Sequence, residues 1–318
     1  MLVLTRTEVE ALLDPDALLE ALAGAHAELS AGRASLPPRV AAFAEQDGLL
    51  GAMPAYSPAA GLGCKLVSVF PHNADRSSHQ ALIALFDPET GTPVALMDGT
   101  HITAARTAAA AALAARLLAR PDARVLAILG TGVQARSHAR AFAGIRDWTE
   151  LRVAGRDPAK AEALAAELGL TAAPSFEEAV RGADVVAATT HASEPVVRAA
   201  WVEPGTHVGS VGYAAPQGFE LDRELARAAD VLAVESRQSA FAPPPAGALE
   251  LEGIDPERAV ELGELVAGTG VGRASAEQIT VYKSVGVAVQ DLAAAALVLD
   301  AARAGDAGLE IELEEISA

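Results

Sequence analysis

The sequence predicts an α/β fold in which a doubly wound parallel sheet is joined to a second, α+β domain. After His101, short apolar runs alternate with helical patterns, which is typical of parallel strands joined by helices. Before His101, the apolar runs follow one another with turn residues between them, which is typical of an antiparallel sheet. A chain of 318 residues has room for both domains.

The first hundred residues predict one helix followed by a mostly antiparallel sheet. Asp14 and Pro15 begin a helix that runs to Leu29, because proline suits a first helical position. Pro37 and Pro38 end this region. Strands are predicted over residues 39–43, 49–55, 64–70, 81–86 and 92–98, the last two forming a hairpin around the turn at 87–91.

The rest of the chain predicts alternating helices and strands. Helices are predicted from Ile102 to Ala119, after Gly132, over residues 158–168, and after Ser175, which forms a capping box with Glu178. Strands are predicted over residues 124–129, 151–154, 184–189, 207–211 and 231–235. The segment 280–302, rich in alanine and valine, is predicted to be one long helix.

Composition argues against several classes of protein. The formal charge of −18 argues against a nucleic-acid partner, whose phosphates an acidic protein repels. The one cysteine, Cys64, cannot form a disulfide within the chain, and the N-terminus lacks the pattern of a signal peptide, so we expect a cytoplasmic protein. No apolar stretch is long enough to span a membrane, and the seven histidines lack metal-ligand spacing, so we expect neither a membrane nor a metal partner.

A glycine-rich loop predicts dinucleotide binding. The segment VLAILGTGVQARSH (125–138) is an apolar strand, a GxGxxA loop and a helix start. The first glycine allows a tight turn, the second lets the backbone approach a pyrophosphate, and the helix N-terminus faces the phosphates. An ordinary tight turn is the alternative. The candidate cofactor-binding residues are Gly130, Thr131, Gly132, Val133, Gln134, Arg156, Thr189, Val211 and Gly212.

The end of the second strand of this domain favours NADP(H), with NAD(H) as the alternative. An acidic residue there would bind the ribose hydroxyls of NAD, and an arginine would accept the 2′-phosphate of NADP. The sequence has Gly155 at the acidic position and Arg156 next to it. Asp157 also caps the helix that begins at Pro158.

Few cations are placed where they could hold a small acid. Lys65 shares a predicted strand face with Val67 and Val69, where a lysine needs a partner; the alternative is an edge strand from which it reaches solvent. Arg106 falls in the first turns of the helix predicted from Ile102, where its guanidinium and the helix dipole would both attract a carboxylate. A pair with a surface glutamate is the alternative for Arg106.

The chain resembles the ornithine cyclodeaminase/μ-crystallin family over nearly its whole length. The matching segments are PPR (37–39), GAMPAYS (51–57), KLVS (65–68), SHQA (78–81), MDGT (97–100), RTAAA (106–110), GTGVQA (130–135), EPGTHVGSVG (203–212), ELD (220–222), LGEL (262–265) and TVYKSVGVAVQD (280–291). The resemblance implies a Rossmann domain over residues 119–290. It also implies a substrate-binding and dimerisation domain formed by residues 1–118 with 291–318, and a homodimer.

The resemblance also implies a substrate site. Arg39, Lys65 and Arg106 would surround a substrate carboxylate, with a nicotinamide ring over the reacting carbon. We take Lys65 and Arg106 as the candidate catalytic residues, and these two with Arg39 and His79 as the candidate substrate-binding residues. For His79, near a strand end, a structural role is the alternative. The implied ligand is a small imino acid or amino acid.

The family includes a cyclodeaminase that converts ornithine to proline and ammonia, amino-acid dehydrogenases and NAD(P)H-dependent ketimine reductases. The cyclodeaminase has an aspartate just after the VG that ends a strand near the nicotinamide, whereas this chain has Ala214 there. Without that acid the resemblance implies a reductase of cyclic imino acids such as Δ1-pyrroline-2-carboxylate or Δ1-piperideine-2-carboxylate. A cyclodeaminase, an NAD(P)-dependent amino-acid dehydrogenase and a non-catalytic NADPH-binding protein are the alternatives.

Overall fold

The computed structural model describes residues 1–212, 218–243 and 246–313. Its chain forms two compact units. Unit 1 consists of Met1–Arg106 with the described residues from Val287 onward, and unit 2 consists of Thr107–Gly286. The units are divided after residues 106 and 286. The domain bounds that the family resemblance implies, 1–118 with 291–318 and 119–290, stay a prediction.

Strands follow one another through most of unit 1 and alternate with helices through most of unit 2. The strands are β1 (Leu2–Leu4), β2 (Val40–Phe43), β3 (Leu49–Ser57), β4 (Gly61–Val69), β5 (His79–Phe86), β6 (Pro93–Asp98), β7 (Val125–Leu129), β8 (Glu150–Ala154), β9 (Thr171–Ala172), β10 (Val185–Ala188), β11 (His207–Ser210), β12 (Val231–Val234), β13 (Ala259–Glu261), β14 (Thr280–Lys283) and β15 (Leu309–Glu310). The α-helices are α1 (Arg6–Leu12), α2 (Pro15–Ser30), α3 (Gly99–Leu118), α4 (Val133–Ala143), α5 (Pro158–Leu168), α6 (Phe176–Val180), α7 (Arg223–Ala228), α8 (Arg237–Ala240), α9 (Leu262–Val266) and α10 (Ala288–Gly305). In the described part of the chain, no helix combines the length and apolar character needed to cross a membrane.

Unit 1 is built on a seven-stranded sheet in the order β15-β1-β6-β5-β4-β3-β2. Neighbouring strands from β2 to β6 are antiparallel, which confirms the prediction for this region. Helix α10 packs against β3, β4 and β5. Val40, Ala52, Leu66 and Leu82 form one cross-strand row. Val40, Leu66 and Leu82 are 64%, 38% and 48% exposed, so this row forms part of an open apolar surface.

Unit 2 is built on an eight-stranded sheet in the order β13-β12-β14-β11-β10-β7-β8-β9, and its strand pairs are parallel. Strands β10, β11, β12 and β14 are buried at every residue, because helices cover both faces of such sheets. The chain continues from β7 to β8 on one side and returns to β10 on the other. The carboxyl ends of β7 and β10 therefore flank the switch point at which this class of sheet binds ligands.

The prediction of one helix over residues 280–302 is wrong in its first third. Thr280–Lys283 is β14, a strand in the middle of the parallel sheet, and the helix α10 begins only at Ala288. Gly286, with a backbone φ of 76°, lies between the two. A fully buried strand and a buried helix both give unbroken apolar runs, so periodicity alone did not separate them.

Candidate functional site

The glycine-rich loop between β7 and α4 has the backbone that the sequence predicts. Gly130 has a φ of 125°, and a Cβ atom there would lie 2.7 Å from the Thr189 hydroxyl oxygen. Only glycine therefore fits this turn without displacing Thr189. At Gly132 a Cβ atom would meet nothing within 4 Å, so this side of the loop is open to a ligand.

The start of α4 is suited to bind an anion. Gly132 is the residue before the helix, and no side chain of the described residues caps the helix start. The first N–H groups of a helix lack acceptors within it, and its dipole is positive at this end. Val133 is 62% exposed, so the start of the helix is open to a ligand. These features fit the pyrophosphate of a dinucleotide.

The residues after β8, Gly155 and Arg156, lie at the position that distinguishes NAD-binding from NADP-binding proteins of this fold. A Cβ atom at Gly155 would lie 2.6 Å from the Thr131 methyl carbon, so a larger residue would have to displace that side chain. Arg156 is exposed and has neither a hydrogen bond nor an ion pair within the described structure. Asp157 accepts hydrogen bonds from the N–H groups of Ala159 and Lys160, which confirms it as the cap of α5.

The remaining candidate cofactor residues lie at the carboxyl ends of β10 and β11. The Thr189 hydroxyl donates a hydrogen bond to the carbonyl of Leu129 at 2.8 Å. The N–H of Val211 donates to the carbonyl of Ala188 at 3.1 Å, and the N–H of Gly212 donates to Glu220 at 2.7 Å. All three residues therefore lie at the ligand-binding edge of unit 2, and their contact with a cofactor stays a prediction. Ala214 lies outside the described residues.

In unit 1, Lys65 forms a buried ion pair. It lies on β4 between β3 and β5, opposite the buried residues Met53 and Ile83, so the edge-strand alternative is wrong. Its Nζ donates to both carboxylate oxygens of Asp291 on α10, at 3.0 and 3.1 Å. Lys65 is 3% exposed and Asp291 is 0% exposed.

Arg106 shares the same carboxylate. Its Nε donates to Asp291 Oδ1 at 3.1 Å, and its Nη1 donates to Gln290 Oε1 at 2.6 Å. The Gln290 amide nitrogen lies 3.0 Å from His26 Nε2 on α2. Arg106 is 5% exposed, and its partner is a buried aspartate rather than the surface glutamate considered as an alternative.

The predicted contribution of a helix dipole at Arg106 is not supported. The helix begins at Gly99 instead of Ile102, because the Asp98 carboxylate accepts the N–H of His101 at 2.8 Å and supports an earlier start. Arg106 is therefore the eighth residue of α3, and the effect of the dipole falls off within the first turn. Attraction for a carboxylate must come from the guanidinium itself.

The cluster of Lys65, Arg106 and Asp291 holds an excess of positive charge. Two cations share one carboxylate, so one positive charge is left over when all three are ionised. Burial lowers the pKa of Lys65 to about 8, with Asp291 opposing this shift and Arg106 and Arg39 adding to it. Burial also lowers the pKa of His26 to about 4, so this imidazole is neutral at neutral pH. A buried excess charge is costly unless an anion neutralises it, which favours a small carboxylate as ligand.

Arg39 and His79 differ in their relation to this cluster. Arg39 directly precedes β2, is half-buried, and is close enough to lower the pKa of Lys65. His79 is exposed at the start of β5, four residues from the Ile83 that pairs with Lys65, which is about 13 Å along the strand. The cluster thus lies near Arg39 and away from His79. Across the described ranges, no group of three or more His, Cys, Asp or Glu side chains could hold a metal ion.

Sequence reasoning missed Asp291 of this cluster, and also Gln290 and His26, which extend its hydrogen bonds. Asp291 and Gln290 are adjacent polar residues in the otherwise apolar start of α10. They stand at the end of the segment TVYKSVGVAVQD, and that contrast was the available signal. Nothing in the sequence distinguishes His26 from a core histidine.

Comparison with known proteins identifies the family. A profile of the ornithine cyclodeaminase/mu-crystallin family matches residues 1–306. The chain belongs to this family. It is 43% identical over 271 residues to the ketimine reductase mu-crystallin of Mus musculus, an alignment that covers 84% of each chain.

Two solved structures match nearly the whole chain. The Δ1-pyrroline-2-carboxylate reductase of Thermococcus litoralis, in complex with NADH and L-proline, has a TM-score of 0.91 and 35% identity, covering 98% of this chain and 100% of that one. An archaeal alanine dehydrogenase dimer with bound NAD has a TM-score of 0.90 and 34% identity, covering 99% of both chains. These similarities confirm the fold class and the family resemblance predicted from the sequence.

Proposed function

We propose that this protein uses a nicotinamide coenzyme to reduce the C=N bond of a cyclic imino acid, giving a cyclic L-amino acid. The substrate class is that of Δ1-pyrroline-2-carboxylate and Δ1-piperideine-2-carboxylate. The observation that carries the proposal is the buried excess of positive charge at Lys65, Arg106 and Asp291, which a substrate carboxylate would neutralise. Similarity to a ketimine reductase and to a Δ1-pyrroline-2-carboxylate reductase supports the same reaction.

Arg106 binds the substrate carboxylate, assisted by Arg39. A guanidinium has five N–H donors, and Arg106 uses two of its nitrogens on Asp291 and Gln290. The N–H groups that remain are held in a fixed orientation by these two partners. A carboxylate bound there gains charge-assisted hydrogen bonds without the cost of ordering a mobile side chain.

Lys65 donates the proton. Its ammonium group has a pKa of about 8, so it is charged at neutral pH yet releases a proton more easily than an ordinary lysine. A bound nicotinamide coenzyme supplies a hydride to the imine carbon. The proton from Lys65 goes to the imine nitrogen, the C=N double bond becomes a single bond, and water returns a proton to Lys65. Asp291 holds the lysine in place through both of its carboxylate oxygens.

The coenzyme is NADP(H) in preference to NAD(H). Gly155 cannot be replaced by an acidic residue without displacing Thr131, so the carboxylate that would bind the ribose of NAD is absent. Arg156 follows it, exposed and without a partner in the described part of the chain, and is available to pair with a 2′-phosphate. The single thiol, Cys64, suits the cytoplasm, where we place the reaction.

The protein acts as a homodimer that covers the open face of the sheet in unit 1. The row of Val40, Leu66 and Leu82 continues into Leu50 and Tyr56 on the same face. Exposed apolar surfaces of this kind mark protein–protein contacts. A second copy of the chain is the occupant, because the archaeal alanine dehydrogenase with the same fold is a dimer.

Two alternative activities, those of a cyclodeaminase and of an amino-acid dehydrogenase, are compared with this proposal. Glu220 and Asp222 are the carboxylates that follow Ala214, but both have structural hydrogen bonds: Glu220 with Thr190 and Ser210, and Asp222 as the cap of α7. Neither is free to replace the acid of a cyclodeaminase. An amino-acid dehydrogenase is the second candidate, because the archaeal alanine dehydrogenase matches the whole chain.

Coenzyme oxidation tests the proposal directly. The purified protein is mixed with Δ1-pyrroline-2-carboxylate and either NADPH or NADH, and the absorbance of the coenzyme is followed. We expect oxidation of both, with preference for NADPH. The variant Arg156→Gln should weaken NADPH use about tenfold and leave NADH unchanged, because it loses one charge-assisted contact. Arg140→Gln, another exposed arginine of unit 2, is the matched control and should change neither.

Two further substrates separate the alternatives. Oxidation with pyruvate and ammonia, but not with the cyclic imine, would refute the proposed substrate and favour a dehydrogenase of open-chain amino acids. Ammonia release from ornithine without net coenzyme consumption would favour a cyclodeaminase. Coenzyme binding with turnover of none of these substrates would favour the non-catalytic alternative.

A further inference from the structure

A second buried polar cluster lies in unit 2, and the proposed chemistry does not use it. Its centre is Glu220, which is 1% exposed. One carboxylate oxygen accepts the N–H and the hydroxyl of Thr190, the latter at 2.8 Å. The other oxygen accepts the hydroxyl of Ser210 at 2.8 Å and the N–H of Gly212 at 2.7 Å. One side chain thus joins the ends of β10 and β11.

Lys283, at the end of β14, completes the cluster from the other side. Its Nζ donates to the carbonyl of Gly212 at 2.8 Å and to the Ser210 hydroxyl oxygen at 3.0 Å. It also pairs with Glu250 at 3.0 Å, and Glu250 in turn accepts the N–H of Glu220 at 3.1 Å. Lys283 is 1% exposed, and each charged group of the cluster has an opposite charge or several donors.

The consequence is that Gly212 is held on both sides. Glu220 binds its N–H, Lys283 binds its carbonyl, and a Cβ atom there would overlap with the carbonyl of Thr190 and with Glu220. The backbone at Gly212 therefore cannot move without breaking charge-assisted hydrogen bonds in a buried site. These contacts restrict the backbone of Gly212 more than that of an exposed loop.

Gly212 lies just after the end of β11, on the side of the sheet where the nicotinamide half of a coenzyme would lie. With Arg156 in its proposed role, the adenosine half of a dinucleotide lies at the end of β8, and the other half extends over β10 and β11, which follow on the other side of β7. We propose that Glu220 and Lys283 are positioning residues that fix Gly212 against the nicotinamide half of the coenzyme. The inference rests on the proposed coenzyme-dependent function and assigns to it residues outside the cluster of Lys65, Arg106 and Asp291.

A purely structural role is the competing explanation, and stability alone does not separate the two. Replacing a buried ion pair by apolar residues is often neutral or stabilising, whereas removing one partner destabilises whatever the purpose of the pair. The decisive readout must therefore distinguish the two halves of the coenzyme. Adenosine 2′,5′-bisphosphate carries the adenosine half of NADPH without the nicotinamide, and it serves as the probe.

The variants are Glu220→Gln, Lys283→Met and the milder Ser210→Ala, which removes only the hydroxyl that bridges the other two. We expect affinity for adenosine 2′,5′-bisphosphate to stay within about twofold of the wild type. The kcat with NADPH should fall about ten- to a hundredfold for the first two variants, because each loses one charge-assisted hydrogen bond to Gly212. The deuterium isotope effect of the transferred hydrogen should rise, because the hydride step becomes slower relative to the others.

Glu235→Gln is the matched control. Glu235 is equally buried and accepts hydrogen bonds from Ser284, Val285 and Gly286, but it directly follows β12, which β14 and β11 separate from β10, and it has no hydrogen bond to Gly212 in the described structure. Its loss should lower the Tm without changing the isotope effect.

Four outcomes would overturn the inference. An unchanged kcat and isotope effect in variants with a lowered Tm would mean that Glu220 and Lys283 have only a structural role. A loss of adenosine 2′,5′-bisphosphate binding in parallel with kcat, in Ser210→Ala as in the other two, would mean general disruption of unit 2. If the wild type neither binds this probe nor oxidises NADPH, the proposed function itself fails and the inference fails with it. Normal wild-type behaviour with unaffected variants would refute the positioning role only.

Discussion

Replacing Asp291 by asparagine tests the proposal that the cluster of Lys65, Arg106 and Asp291 binds the substrate. The change keeps the shape of the side chain and removes the carboxylate charge that Lys65 and Arg106 share. The excess in the cluster then rises from one positive charge to two. Asp291 is 0% exposed, so water cannot screen the unpaired cations.

The magnitude follows from the contacts that are lost. Asp291 accepts two hydrogen bonds from Lys65 and one from Arg106. Removing one partner of a buried ion pair costs about 3–5 kcal/mol. For a unit of this size we expect the Tm to fall by roughly 10 °C. Because Asp291 raises the pKa of Lys65 against the effect of burial, its loss should move that pKa below its present value of about 8.

Thermal unfolding with and without L-proline, together with the pH dependence of kcat, measures both effects. We expect L-proline to raise the Tm of Asp291→Asn more than that of the wild type, because its carboxylate replaces the missing anion. We also expect the decline of kcat at high pH to begin at a lower pH. Asp300→Asn, an exposed aspartate on the same helix, is the control and should change neither. An unchanged Tm and an unchanged pH profile in Asp291→Asn would refute the reasoning.

Three other substitutions give separate tests. Arg106→Ala should raise the KM for the imino acid about ten- to a hundredfold, since a charge-assisted hydrogen bond contributes about 1.5–3 kcal/mol; an unchanged KM would contradict its role. Burial lowers the pKa of Lys65 to about 8, so the wild-type kcat should fall as the pH rises through that value, whereas Lys65→Arg should be slower but lack this decline. Burial also lowers the pKa of His138 from 6.5 to about 4. Above pH 6.5 this histidine is neutral in the folded and the unfolded chain, so its titration does not change the free energy of unfolding there. As the pH falls from 6.5 to 4 the unfolded chain takes up a proton that the folded chain does not, which costs about 1.4 kcal/mol per pH unit. His138→Leu should therefore show a shallower acid loss of unfolding free energy in urea titrations, and an equal slope would mean that His138 is already charged in the fold.

The fold was predictable where local signals agree. The glycine loop at Gly130 follows an apolar strand and precedes a helix. The hydrophobic pattern and the conformations that glycine allows therefore predict the same structure. The helix α1 was missed because it is only seven residues long, although Thr5 and Glu8 form a capping box at its start. The strand β14 was missed because its pairing with β11 and β12 involves residues about 50 to 75 positions earlier, which no local pattern reveals.

The site was predictable only in its cations. Lys65 and Arg106 attract notice because a charge in an apolar run needs a partner, but the sequence does not say which partner. Asp291 lies 226 residues from Lys65 and 185 from Arg106, so the contact depends on the return of the chain to unit 1 through α10. The shared carboxylate is what turns two cations into a site with a single excess charge. That number follows from the tertiary structure and not from the motif.

An anionic ligand can bind to so acidic a chain because the charges act over different distances. The formal charge of −18 is spread over a surface where salt and water weaken each interaction beyond about 8–10 Å. The cluster around Asp291 is shielded from both, so its excess charge acts on a bound carboxylate at much lower effective dielectric constant. Burial also lowers the pKa of Lys65 toward neutrality. The same desolvation therefore strengthens the binding of the acid and prepares the lysine to release a proton, which is why both functions can rest on one small group of residues.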